Sequence, residues 1–221
     1  NSRAGSMPPT VSTTISARVT RSAAPVVKRL GSTGTSLRSR PARRTAIPTI
    51  SNGTPPRAVT IDPEAAFNII YSSGTTGEPK GIVQSHAMRW AYAVRAARYG
   101  YGADTVTMIA TPLYSNTTLV VFFPTLVFGG SVVLMPKFDA KGWLALAQAH
   151  RATHAMLVPV QYERLLALPE FDHHDLSSLR YKFSTSAPFA PALKADVLRR
   201  WPGALAEFYG MTEGGGSCVL E

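Results

Sequence analysis

The chain has 221 residues, 45% of them hydrophobic, a formal net charge of +10 and one cysteine, Cys218. A lone cysteine excludes an intrachain disulfide and predicts a reducing, cytoplasmic setting, and no apolar run reaches the roughly 18 residues that a transmembrane segment needs. The whole excess charge lies in residues 1–60, with nine Arg, one Lys and no acid, whereas thirteen basic side chains face thirteen acidic ones from Ile61 onward, so the high pI does not mark the folded part as a nucleic-acid binder.

Residues 1–60 contain no Phe, Trp or Tyr, and 42 of them are Arg, Pro, Ala, Ser or Thr. Such a stretch buries too little apolar area to offset its ordering entropy, which predicts a disordered, basic, low-complexity tail. Three origins stay open for it. The abrupt composition change at Ala58–Ile61 fits an out-of-frame or mis-assembled start. A solvated basic tail and an Arg/Ser-rich, acid-free transit peptide are the others. The opening on Asn1 is read as a fragment or a processed product.

Residues 61–221 read as one α/β unit. Apolar, β-prone runs predict strands at 67–71, 105–110, 131–135, 154–158, 180–185 and 205–209. Helices are expected between them. The first is 86–99, capped by Ser85 and ended by Gly100; 117–128 follows, then 140–151 capped by Asp139. Helices 159–168 and 191–200 each carry Pro at the first position. Strands alternating with helices imply a parallel sheet with right-handed crossovers. No internal repeat is visible.

The stretch Tyr71-Ser72-Ser73-Gly74-Thr75-Thr76-Gly77-Glu78-Pro79-Lys80-Gly81 follows the apolar run Phe67–Tyr71, which reads as a buried strand. A strand that opens into small hydroxyl and glycine residues with one lysine can cradle phosphates. Glycines let backbone N–H groups approach an anion, hydroxyls donate, and the lysine offsets charge. The P-loop pattern does not fit: its second glycine would fall on Pro79, and no hydroxyl follows Lys80.

Other polar candidates read as structural. His150 and His154 sit four apart, but Ala155–Val158 starts a strand at His154, so no metal site is expected there. His173-His174 reads as a solvated turn and Cys218 as a small buried residue. Arg89, Arg95 and Arg98 read as the solvated edge of an amphipathic helix.

The segment Ser73-Gly74-Thr75-Thr76-Gly77-Glu78-Pro79-Lys80-Gly81 resembles the signature loop of the adenylate-forming (AMP-binding) enzymes. Two further segments in the same order extend the likeness: Ser184-Thr185-Ser186-Ala187-Pro188 and Glu207-Phe208-Tyr209-Gly210-Met211-Thr212-Glu213. The resemblance implies part of that family's large N-terminal α/β domain, with parallel-sheet layers and flanking helices. It also implies roles. Thr76, Lys80 and Glu213 would be catalytic. Ser72 to Gly77 and Lys80 would hold phosphates, Ser186, Ala187 and Pro188 would line the adenine pocket, and Glu207 to Thr212 would complete the nucleotide site. Within that set Tyr209 would pack on adenine, Thr212 would bond a phosphate, and Glu213 would coordinate Mg²⁺.

Thr111–Leu119 resembles the family's acyl-pocket segment, with Ser115 where many acyl-CoA synthetases carry His. Tyr114, Ser115 and Asn116 are thus the expected substrate pocket, with a medium or long aliphatic acid favoured and the apolar run Leu119–Phe123 behind it. The implied activity is that of an acyl-CoA synthetase, using ATP, Mg²⁺, coenzyme A and a small carboxylic acid, with no specific nucleic-acid partner. The chain ends soon after Glu213, which is read as a truncation that leaves it inactive alone. Two alternatives stay open: a peptide-synthetase adenylation domain, and a non-catalytic nucleotide-binding fragment whose basic tail binds nucleic acid.

Overall fold

The computed structural model describes residues 13–16, 35–37, 60–72, 78–213 and 215–221. In chain order the strands are β1 (Thr13–Ser16), β2 (Thr35–Leu37), β3 (Ala66–Ser72), β4 (Lys80–Ser85), β5 (Val106–Ile109), β6 (Ser131–Leu134), β7 (His154–Leu157), β8 (Tyr181–Ser184), β9 (Ala204–Met211) and β10 (Gly215–Leu220). The helices are α1 (His86–Arg95), α2 (Asn116–Val127), α3 (Ala140–Ala149), α4 (Pro159–Leu166) and α5 (Pro191–Arg200), and a 3₁₀ turn, Ala96–Tyr99, continues α1. Local chemistry sets several starts. The Ser85 hydroxyl accepts from Met88 N–H at 3.3 Å, the Asp139 carboxylate accepts from Gly142 N–H at 2.7 Å, and proline opens α4 and α5.

The main sheet runs β10-β9-β8-β7-β5-β6-β1-β2. Strands β5 to β9 pair in parallel, as their alternation with helices predicts. The chain steps from β5 to β6, then crosses back over β5 to β7 and continues outward to β9. Right-handed crossovers therefore place α2 on one face and α3, α4 and α5 on the other. The core divides in the same way. Met108, Val133 and Leu157 pack with Trp143, Tyr162 and Trp201 on one face. Ile109, Val132, Met156 and Phe183 pack with Tyr99 and Val121 on the other. Burial on both faces accounts for the continuous apolar runs of these strands.

Lys182 is fully buried on β8, and its ammonium donates to the carbonyls of Trp201, Pro202 and Gly203 at 3.2, 2.7 and 2.5 Å. Burial pushes its pKa down to about 8. Gly203 has φ +82°, and a Cβ there would lie 2.5 Å from the Leu179 carbonyl oxygen, so this turn requires glycine.

Several expectations are corrected. Strand β3 is not buried: it forms a separate antiparallel hairpin with β4, a strand absent from the sequence reading, and Ile69, Tyr71 and Val83 are exposed on it. The alternation of β3 buries only one of its faces. Strand β10 is a second addition and pairs antiparallel with β9. It is the edge of the sheet, which leaves Cys218 exposed rather than buried. Residues 13–16 and 35–37 also pair: β1 adds antiparallel to β6 and β2 to β1.

Candidate functional site

Parallel strands deliver their following loops to one edge of a sheet, the edge where open α/β folds bind ligands. Here that edge gathers the turn after β8, the end of β9 and the segment after β5. Ser184 pairs with Glu207 in the ladder, and the Thr185 hydroxyl donates to the Phe208 carbonyl at 2.8 Å, tying the turn to β9. After β5, Thr118 Oγ1 donates to the Pro112 carbonyl at 2.6 Å. Its only hydroxyl proton is then spent, so Thr111 Oγ1 donates the 2.6 Å bond between the two threonines. These bonds fix the start of α2.

Between these elements lies a cavity of about 390 Å³. Its inner end is apolar and aromatic, formed by Tyr101, Val121 and Phe183, all buried. Its mouth carries Ser186, Gly210 and Met211, all exposed, beside Thr117 and Thr212, and the exposed Arg95 and Arg98 also line the cavity. An apolar cleft with a few polar groups at its mouth suits a small amphiphilic ligand. Phe208 stacks on Phe183 at 5.6 Å inside the wall, whereas its neighbour Tyr209 projects outward and is 76% exposed. Tyr209 thus offers an open aromatic face at the same sheet edge.

The β3–β4 hairpin joins this edge through a polar chain. Gln84 Nε2 donates to the Thr212 carbonyl at 2.5 Å. Asn68 lies opposite Gln84 in the ladder and accepts from Arg89 Nε at 3.0 Å. Arg89 Nη1 donates to Asn116 Oδ1 at 2.8 Å, and the guanidinium lies 5.5 Å from the centroid of the Phe123 ring. Only 4% of Arg89 is exposed, and burial lowers its pKa to about 10. This corrects the reading of Arg89 as a solvated edge. Its helix face meets β3 and α2, where two asparagine oxygens take its protons, while Arg98 remains in the open as an ion pair with Glu221.

Of the expected site residues, Ser73, Gly74, Thr75, Thr76 and Gly77 lie outside the described residues. Ser72 and Lys80 face each other in the ladder at the base of that loop. Ser186, Gly210, Met211 and Thr212 line the cavity, as does Phe208; Ala187 and Pro188 are exposed beside it. Glu207 is turned away into a 2.5 Å ion pair with Lys194 of α5. Glu213 is exposed and joins no ion pair among the described residues, and no cluster of three His, Cys, Asp or Glu side chains exists among them.

Of the three residues of the expected substrate pocket, one borders the cavity. Asn116 lines the cavity, but Tyr114 is 81% exposed, and neither it nor Ser115 reaches the lining. Both precede the first turn of α2. The lining comes instead from Asn116, Thr117, Val120 and Val121, one face of that helix at i, i+1, i+4 and i+5. Ser115 holds the N-cap position without a side-chain bond. Gln84 carries no motif signal and was not singled out, whereas Thr117 and Thr185 lie inside the two resembled segments but were given no role of their own. An intervening polar Gln84 between Val83 and the Ser85 cap is the one sequence hint of the bridge to Thr212.

A family model described as "AMP-binding enzyme" matches residues 9–221. The medium/long-chain-fatty-acid–CoA ligase FadD8 of Mycobacterium tuberculosis is 30% identical over 157 residues, which cover 71% of this chain and 27% of the relative. The 4-coumarate–CoA ligase 3 of Arabidopsis thaliana is 36% identical over 167 residues, 71% of this chain and 29% of the relative. Among solved structures, ATP-bound MatB from Rhodopseudomonas palustris superposes with a TM-score of 0.67 at 32% identity, over 73% of this chain and 32% of that one. The chain thus spans less than a third of the length of these relatives.

Proposed function

Because the chain belongs to the AMP-binding enzyme family, we propose that it contributes the nucleotide and acid sites of an acyl-CoA ligase acting on an apolar, fatty carboxylic acid. The observation that carries this reading is the convergence of the turn 184–188, the strand end 208–212 and the start of α2 on one apolar cavity with a polar mouth. A carboxylate is a poor electrophile. Its oxygen attacks the α-phosphorus of ATP, the bond to the bridging oxygen breaks, and pyrophosphate leaves. The thiol of coenzyme A then attacks the acyl carbon, loses its proton, and expels AMP.

This chain's residues have separable tasks in that scheme. Lys80 and the 73–77 loop offset polyphosphate charge, and Tyr209 supplies a face for the adenine. Thr212, held through its carbonyl by Gln84, sits where its hydroxyl can meet a phosphate. The donor set fits Mg²⁺ that arrives on phosphate oxygens and needs only one or two protein carboxylates: Glu213 is exposed and joins no ion pair among the described residues. Bound there, the ion would neutralise charge on the phosphates. The fatty character rests on the apolar inner wall, and FadD8 is named for such acids. Partners are thus small molecules, and the setting is cytoplasmic.

The test is calorimetric binding of AMP and of acids from acetate to palmitate to the purified protein, which needs no turnover. AMP binding together with acid affinity that rises with chain length supports the reading. Binding of neither AMP nor any of these acids refutes it.

A further inference from the structure

Ser186 and Arg151 are the two non-glycine residues with positive φ among the described residues, at +77° and +49°. A serine in this region is strained, and such strain persists only where its surroundings hold it. The Ser186 hydroxyl lies 2.7 Å from that of Thr117 at the start of α2. Both residues line the cavity, and both stand at its mouth, opposite the buried inner end made by Tyr101, Val121 and Phe183.

Each hydroxyl carries a single proton. Whichever donates to the other, one O–H has no partner among the described residues, on a pair that spans from the turn after β8 to α2. An amphiphilic acid enters such a cavity with its apolar tail inward, which brings its carboxylate to the mouth. We propose that the Ser186–Thr117 hydroxyl pair is a specificity-determining contact that receives the carboxylate of the acid. This rests on the acid-activating function proposed above. The left-handed Ser186 backbone then aims the hydroxyl across the mouth at Thr117, and an alanine or glycine there would lose the contact.

The experiment measures binding by calorimetry to the purified chain, with decanoate as the probe, decanol as its uncharged control and AMP as the nucleotide. Thr117→Val keeps the side-chain shape and deletes the hydroxyl. It should weaken decanoate about five- to tenfold, the loss of one hydrogen bond to a charged group, and leave decanol and AMP within twofold. Ser186→Gly should weaken decanoate similarly while raising the melting temperature, because glycine adopts this φ without strain. A merely structural serine would raise no such opposition between stability and binding.

Decanoate affinity within twofold of wild type in both variants overturns the proposal. So does a parallel loss of decanol, which would make the pair a shaper of the cavity only, or a wild type that binds decanol as tightly as decanoate. The two readings fail differently. Wild-type binding of both AMP and decanoate, with decanoate affinity unchanged in the two variants, removes the hydroxyl pair alone. A wild type that binds neither AMP nor decanoate removes the acid-activating function with it.

Discussion

Acidification should destabilise this protein through His154. Its ring is fully buried on β7, with Nε2 2.8 Å from the Tyr99 carbonyl and Nδ1 2.8 Å from the Thr153 hydroxyl. A carbonyl only accepts, so Nε2 carries the proton and Nδ1 accepts from Thr153. The neutral ring is satisfied; a second proton would reverse the Nδ1 bond, with Thr153 donating to the Val106 carbonyl at 3.2 Å instead, so what opposes protonation is burial of the charge. Tyr101 stacks on the ring at 4.4 Å, with Tyr181 and Phe183 beyond. Burial is the main reason the pKa is pushed down to about 4; the Tyr99 bond pulls it upward, Arg180 downward, and Asp104 upward again.

The folded pKa lies below the unfolded value of about 6.5, so the unfolded chain binds more protons between these limits. Stability from this group is complete above pH 6.5 and is lost as pH falls toward 4. A gap of about 2.5 units corresponds to on the order of 3 kcal/mol. The assay is urea unfolding at pH 7, 5.5 and 4 for wild type and His154→Asn, which cannot titrate. The variant should start less stable and lose less on acidification, the difference isolating His154 from the carboxylates. A ring proton resonance titrating near 6.5 in the folded protein, or identical pH slopes for the two proteins, would refute the argument.

Three further outcomes are expected. Lys80→Ala should weaken ATP binding by roughly 5- to 150-fold, the worth of a charge-assisted bond of about 1–3 kcal/mol; titration with an ATP analogue checks it, and unchanged affinity would place the phosphates elsewhere. Gln84→Leu removes the donor to the Thr212 carbonyl and should weaken AMP by about fivefold, for roughly 1 kcal/mol, with little change in melting temperature; calorimetry and a thermal melt separate the two. Since each buried CH₂ contributes about 0.8 kcal/mol, acid affinity measured by calorimetry should climb with acid length until the cavity is filled, and Val120→Trp, on the lining face of α2, should move the optimum to shorter acids. A length profile unchanged by that substitution would place the acid elsewhere.

Much of the fold was written locally. The Ser85 and Asp139 caps, Pro159 and Pro191 at helix starts, and the apolar runs of β5 to β8 each depend on a few adjacent residues, and the structure places helices and parallel strands there. The family resemblance rested on contiguous motifs for the same reason. What needed tertiary structure was every property that depends on partners far along the chain. Arg89 resembles any surface arginine until Asn68 and Asn116, 21 and 27 residues away, accept its protons. Tyr114 sits in a pocket-like segment, yet only the rotation of α2 decides that Thr117, Val120 and Val121 face the cavity and Tyr114 does not. Cys218 is exposed on β10, and Ser186, with its positive φ, meets the Thr117 hydroxyl 69 residues away in sequence. Periodicity and capping are short-range interactions and can be read along the chain; burial and the pairing of polar groups are set by what the fold brings alongside.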